Sequence, residues 1–346
     1  MRVQRYQLED GRVRDYLSLS SQGGDKHYSP ALSEWIQTWS NELSYPSMSA
    51  LLASQTGIDM SASGLEQWVV GQAARRSDVW EASVAETALV PLPVVEGIDV
   101  YNAESKEIKV FVDDVGVKAQ KPHRQRERLE TDAKRLDTTV VLVEDKLGHS
   151  QCLTPGMEDS PLEQESNLQK RLAATLRGQY GQQALPIVAI TDGARSIRLF
   201  LVAVFGPGGC IILDWYHLQK KVTDLLSMIA VNKGEKQQYV QQISALLWRG
   251  EVQKARASIE SMPQVKNTLK QAELLGYLAK HEKEIIDYER RKSIGKTIGS
   301  GMVEKANDVI VAKRQKKKGM SWSKKGSRAL AILKVEQLNK NLRNAA

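Results

Sequence analysis

Three carboxylates in this chain stand where acidic groups can act on a bound ligand. Asp113 closes a β-rich run, IKVFVDD, and Asp192 closes another, IVAITDG. In open α/β sheets, ligands gather at the carboxyl ends of strands. Glu304 lies on a helical pattern opened by Gly299, Ser300 and Gly301 and followed by a basic stretch. Two strand-end aspartates and a helical glutamate offer the hard oxygen ligands that suit Mg²⁺. Two such ions, about 3.5–4 Å apart, stabilise the attacking and leaving oxygens of a phosphoryl transfer. The plainer alternative is that these aspartates cap turns or helix N-termini, since among 41 acids some fall at strand ends by chance.

The elements that must position these groups read as an α/β fold. Residues 108–112, 138–143 and 150–153 have strand character, and Ser160, Pro161 and Glu163 start a helix carrying Leu168, Leu172 and Leu176. An apolar strand at 186–190, a helix at 194–205, a short strand at 210–213 and a helix at 215–229 follow. Strands alternating with helices predict a sheet covered on both faces. Residues 106–231 are therefore expected to form the core of this domain. Residues 232–291 lose all strand signal and read as an all-helical insertion, with Ile243, Leu246, Leu247, Val252 and Ala255 at helical spacing. A helix over about 302–314 then closes the domain within segment 292–346.

Residues 1–80 have another texture. Ser29 and Pro30 start a helix carrying Leu32, Trp35, Ile36, Trp39 and Leu43. Pro46 opens a second helix that Gly57 ends. Ser61 or Ser63 caps a third, and Ser63 with Glu66 has the spacing of a capping box. A third helix ending in Arg75 and Arg76 outlines a helix-turn-helix, with those arginines as candidate DNA contacts. A small helical bundle without DNA contacts fits the same pattern. Residues 81–105, with Pro91 and Pro93, read as a linker.

Composition narrows the class. Hydrophobic residues at 41% and charged residues at 26% exclude a chain disordered throughout. Lys and Arg exceed Asp and Glu by 49 to 41, a net charge of +8 that favours a polyanionic partner. Much of the excess lies between 311 and 328, where Lys313, Arg314, Lys316, Lys317, Lys318, Lys324, Lys325 and Arg328 occur without an acid. Cys152 and Cys210 alone make neither a zinc site nor a disulfide scaffold. The charged start lacks the apolar segment of a signal peptide, and no apolar run reaches the roughly 18 residues of a membrane span.

Four segments resemble one protein family. VDDVGVKAQK (112–121), ITDGARSIR (190–198), DWYHLQK (214–220) and GSGMVEKANDVIVAKRQKKKGMSW (299–322) are similar, in order, to motifs of DDE transposases of bacterial insertion sequences, the ISKra-type group related to Mutator elements. The resemblance covers roughly residues 106–340. It implies an RNase H-like domain in which Asp113, Asp192 and Glu304 bind two Mg²⁺ ions, for which Mn²⁺ can substitute, and act on DNA phosphodiesters. The long separation of Asp192 from Glu304 then accommodates the helical insertion. Asp114 competes with Asp113 for the first position, although the Val–Asp–x–x–Gly–Val frame favours Asp113.

Asp214 and His217 match the family's Asp-x-x-His motif. His217 would lie near the metals, contacting the scissile phosphate or supporting Asp192; alternatively the pair only orders a strand-to-helix junction, with Asp214 as the helix cap. Lys313, Arg314, Lys316, Lys317 and Lys318 are expected to continue the helix of Glu304 and meet the DNA backbone, or else to form a solvated face. Trp322 would stack on an exposed base or pin its loop to the core. Lys118, Lys121, Arg124 and Arg126 could add phosphate contacts. No role falls to His27, His123, His149 or His281. The implied protein is a bacterial, cytoplasmic, nucleoid-associated transposase, a homodimer or higher oligomer on transposon ends and target DNA. A catalytically silent DNA-binding descendant and a plain RNase H-like nuclease are the alternatives.

Overall fold

The computed structural model describes residues 5–7, 13–15, 29–121, 129–130 and 132–345. A short antiparallel pair, β1 (Arg5–Gln7) and β2 (Val13–Asp15), precedes three helices: α1 (Pro30–Ser40), α2 (Tyr45–Thr56) and α3 (Ala62–Ala82). The expected caps form at Ser29, whose side chain accepts from Leu32 N, and at Gly57, whose φ of 68° suits a residue without Cβ. Ser61 caps α3 by accepting from Gly64 N, so Ser63 lies inside the helix and the Ser63–Glu66 box is not made. The helix also runs past Arg75 and Arg76 to Ala82, because Ala73 and Ser77 continue its buried face.

The sheet begins with β3 (Ile108–Lys118), which does not stop at the paired aspartates. Val115 and Val117 return to the core beyond them, so Asp113 lies inside a strand rather than at its end. β4 (Arg135–Glu144) pairs antiparallel with β3, and β5 (Ser150–Leu153) antiparallel with β4. After α4 (Pro161–Tyr180), β6 (Ile187–Thr191) joins the other side of β3 in parallel. After α5 (Arg195–Phe205), β7 (Cys210–Leu213) joins β6 in parallel and leads into α6 (Trp215–Ile229). The order β5-β4-β3-β6-β7 is a five-stranded mixed sheet.

Strand alternation divides the core. Val110 and Val112 pack with Leu168, Leu172, Ile197 and Phe200 of α4 and α5. Phe111, Val115 and Val117 pack on the other face with α6 and the helical layer. That layer contains α7 (Lys233–Trp248), α8 (Val252–Glu260), α9 (Thr268–Lys280) and α10 (Tyr288–Ser293), as the loss of strand signal predicts. Arg291 fixes α10: fully buried, it donates to Val100 O and Thr297 O and forms a two-pronged ion pair with Glu107. Burial raises the Glu107 carboxyl, but Arg291 and Lys296 outweigh it and hold the group below its ordinary value.

α11 (Gly301–Asn307) passes through a π turn, Asp308–Ala312, into the short α12 (Lys313–Gln315). The helix ends there, with Lys316 as its C-cap, so Lys317 and Lys318 lie beyond it and do not extend the helix of Glu304. The last helix, α13 (Lys324–Ala345), packs along α3. Its Ala329, Leu330, Ile332 and Leu333 share one core with Ile36, Met48, Leu65, Trp68 and Val69. Residues 29–82 are thus not a separate unit with a core of their own. Asn339 of α13 exchanges two 2.9 Å hydrogen bonds with the backbone of Cys152, covering the edge strand β5.

Candidate active site

Register brings three aspartates level. Phe111 stands opposite Ile190 in the β3–β6 pair, and Thr191 opposite Leu213 in the β6–β7 pair. Continued along the strands, these pairings align Asp113, Asp192 and Asp214 across three neighbours. Asp113 shares the face of Phe111 and Val115, beneath α11. Asp114 points to the opposite face, where it accepts a 2.6 Å hydrogen bond from Thr139 Oγ1. Strand alternation therefore puts Asp113, not Asp114, on the side of Glu304.

Each acid is held differently. Asp113 is half-buried; Oδ1 accepts from Asp114 N at 2.8 Å and Oδ2 from Asn307 Nδ2 at 2.7 Å. Burial, followed by repulsion from Asp192 and Asp114, raises its carboxyl above the ordinary value. Asp192 Oδ1 accepts from Ala194 N at 2.8 Å. Glu304 is exposed on the first turn of α11.

Asp214 is both a cap and a tether. Its Oδ1 accepts from His217 N at 2.9 Å, capping α6, and its Oδ2 accepts from the backbone and hydroxyl of Ser300. Burial pushes this carboxyl up, but the hydrogen bonds from His217 and Ser300 prevail and hold it at about 2. The turn before α11 is thereby tied to the end of β7. Gly299 permits the approach, since a Cβ there would lie 2.7 Å from the Tyr216 ring. The reading of Asp214 as a junction residue is thus realised, and it reaches the helix of Glu304.

His217 turns toward the acids. Its Nδ1 is 3.5 Å from Asp214 Oδ1 and its Nε2 is 3.9 Å from Glu304 Oε1. The Asp214 carboxylate raises its pKa against the opposing effect of burial, and Asp192 and Glu304 add to the rise. The imidazole therefore stands among carboxylates that favour its protonated form.

The site fits a hard divalent cation in donor type and charge. Asp113 of β3 and Asp192, just past the end of β6, repel each other, and the buried Asn307 Oδ1 has no hydrogen-bond partner. Among the described residues, however, no three His, Cys, Asp or Glu side chains already form a metal-holding group. Glu304 is the exposed member of the three acids.

The structure assigns several of the candidate DNA contacts to packing. Arg314 is buried, donates from Nε to Ser40 O at 3.0 Å and lies 4.9 Å from the Trp322 ring. Trp322 donates from Nε1 to Gln315 O, and its backbone bonds Lys118 and Gln120, so it pins its loop to β3. Lys313 pairs with Glu42 at 3.1 Å, and Lys317 approaches Glu42 O at 3.4 Å. Arg75 and Arg76 are exposed on α3, where Arg76 pairs with Glu336 at 3.5 Å. Lys316, Lys318 and Lys325 are exposed, as are Lys118 and Lys121 on the strand end bridged to Trp322. Arg124, Arg126, His27 and His123 lie outside the described residues.

Sequence reasoning missed Asn307 and Ser300. The signal for Asn307 was its position three residues after Glu304, which puts both on one helix face. No protein-family model matches the chain, and no match to a curated protein is found.

Proposed function

We propose that the chain is a DDE-type insertion-sequence transposase with an RNase H-like catalytic domain. The observation that carries this reading is that Asp113 of β3 and Asp192, just past the end of the parallel strand β6, lie level when the register is continued, with Glu304 and His217 brought to the same face. The order of the mixed sheet and the helical layer between Asp192 and Glu304 support it, as do the four motifs in sequence. Asp113, Asp192 and Glu304 would hold two Mg²⁺ ions, which when bound supply positive charge to the attacking and leaving oxygens.

Asn307 fixes the rotamer of Asp113, and Asp214 fixes the turn that leads to Glu304. His217, whose ring nitrogen Nε2 faces Glu304, would donate to an oxygen of the scissile phosphate. Water attacks phosphorus in line, and the P–O3′ bond at the element's end breaks to free a 3′-hydroxyl. That hydroxyl attacks a target phosphodiester, forming a new P–O3′ bond and breaking the target's own. The exposed Lys118, Lys121, Lys316, Lys318 and Lys325 would guide the backbone. They begin roughly 17 Å along β3 from Asp113, at about 3.3 Å per residue. Helices α1–α3 would read the element's ends, and two copies of the chain would hold two ends together.

The test is incubation of the protein with Mg²⁺, a duplex carrying the inverted repeat that flanks its gene, and a second duplex. Covalent joining of a 3′-end to the second duplex supports transposition. Release of a cut end without joining favours a nuclease, and specific binding without cleavage favours a silent DNA-binding protein.

A further inference from the structure

The helical layer places a buried histidine under the second carboxylate. His281, next to the end of α9, has no exposed surface, and its Nδ1 lies 2.5 Å from Glu284 Oε2. Glu284 Oε1 pairs at 2.8 Å with Arg198 on α5, the helix that starts just after Asp192. The backbone carbonyl of Glu284 accepts from Leu213 N at the end of β7. One His-x-x-Glu unit therefore ties α5, which follows the Asp192 turn, to the end of the neighbouring strand β7.

The imidazole itself meets that turn. Gly193 has a φ of 84°, and a Cβ there would lie 3.0 Å from His281 Cε1 and 3.3 Å from Nε2. Nε2 is buried without a hydrogen-bond partner. An unpaired buried nitrogen is unfavourable, so its retention calls for a reason beyond its own bonding. The reason offered by the geometry is steric: Glu284 fixes the ring's orientation, and the ring supports the turn.

We propose that His281, oriented by Glu284 and Arg198, is a positioning residue for Asp192. It seats the Gly193 turn so that the Asp192 carboxylate stays level with Asp113. This rests on the reading of Asp192 as a metal ligand. It also gives the helical layer a part in the chemistry, through the outer contacts that orient a ligand.

Direct Mn²⁺ binding to the full chain without DNA, followed by the electron paramagnetic resonance of free Mn²⁺, tests this. His281→Ala should weaken Mn²⁺ binding by about 10–100-fold, the usual effect of losing an outer-shell partner. Leu247→Ala, elsewhere in the same layer, should lower thermal stability yet leave Mn²⁺ affinity unchanged. Arg198→Gln removes the partly exposed end of the unit without opening a cavity, and should weaken binding severalfold. If His281→Ala does not fold, Arg198→Gln decides. Wild-type affinity in the folded His281 variant, or in Arg198→Gln when it alone can be measured, overturns the proposal. Asp192→Asn separates the two failures: unchanged Mn²⁺ binding there overturns the metal-site reading and this inference with it. Weakened binding in Asp192→Asn beside wild-type affinity in the other two overturns the positioning role alone.

Discussion

Asn307 donates a 2.7 Å hydrogen bond from Nδ2 to Oδ2 of Asp113, joining the helix of Glu304 to the central strand. The bond makes the first carboxylate's orientation depend on α11. Asn307→Ala should therefore slow Mg²⁺-dependent cleavage by about 10–100-fold while leaving DNA affinity near wild type. Asn307→Asp should be worse, because it replaces the donor with a second anion. Single-turnover cleavage at saturating protein reads both variants.

Asp113 and Asp114 should separate cleanly by mutation. Asp113→Asn removes a charge facing Asp192 and should abolish cleavage with binding retained. Asp114→Asn acts on the opposite face, where Thr139 donates to the side chain, and should keep most of the activity. Cleavage assays on the two variants would reverse the assignment if Asp114→Asn alone were dead.

The Asp214 tether predicts a particular acid sensitivity. Its carboxyl is held at about 2 against an ordinary 3.8, so it favours the folded state above the ordinary value. That contribution, about 2 kcal/mol, fades as pH falls from about 4 toward 2. Asp214→Asn should be less stable than wild type at pH 6, and the gap should narrow by about this amount near pH 2. Urea unfolding at several pH values measures the difference.

The basic stretch should divide into two functional groups. Neutralising the exposed Lys316, Lys318 and Lys325 should weaken specific and random duplex binding alike. It should also flatten the log K against log salt slope by roughly 2.7. Arg314→Ala should instead lower the melting temperature, since it strips a buried donor from Ser40 O and a partner from Trp322. Salt titrations and thermal melts on both variants distinguish these effects.

Much of the positioning framework was legible because local chemistry and tertiary packing agree. The strand Cys210–Leu213, the cap at Asp214 and the helix Trp215–Ile229 follow from an apolar run, a capping residue and a 3.6-residue period. β3 was harder to read. Two successive aspartates look like a strand end, and only their partners, Asn307 and Thr139, explain why the strand continues. Arg314 was illegible for a similar reason. A run of cations reads as solvated surface, and nothing local shows that this one inserts between Ser40 and Trp322. The His281–Glu284 pair is visible as a spacing, but its meeting with Gly193 depends on a contact between distant segments.

The core shared by α3 and α13 also sets an order of events during synthesis. Ile36, Met48 and Leu65 leave the ribosome well before Leu330 and Leu333, which complete their packing. At roughly 5–20 residues per second, the interval between Ala82 and Leu330 lasts about 12–50 s. For that time the N-terminal helices carry an apolar face without its final cover. The nascent chain is then most exposed to chaperones and to mispairing with its neighbours. A message truncated before α13 would leave that face permanently open, so such products should be degraded or aggregate.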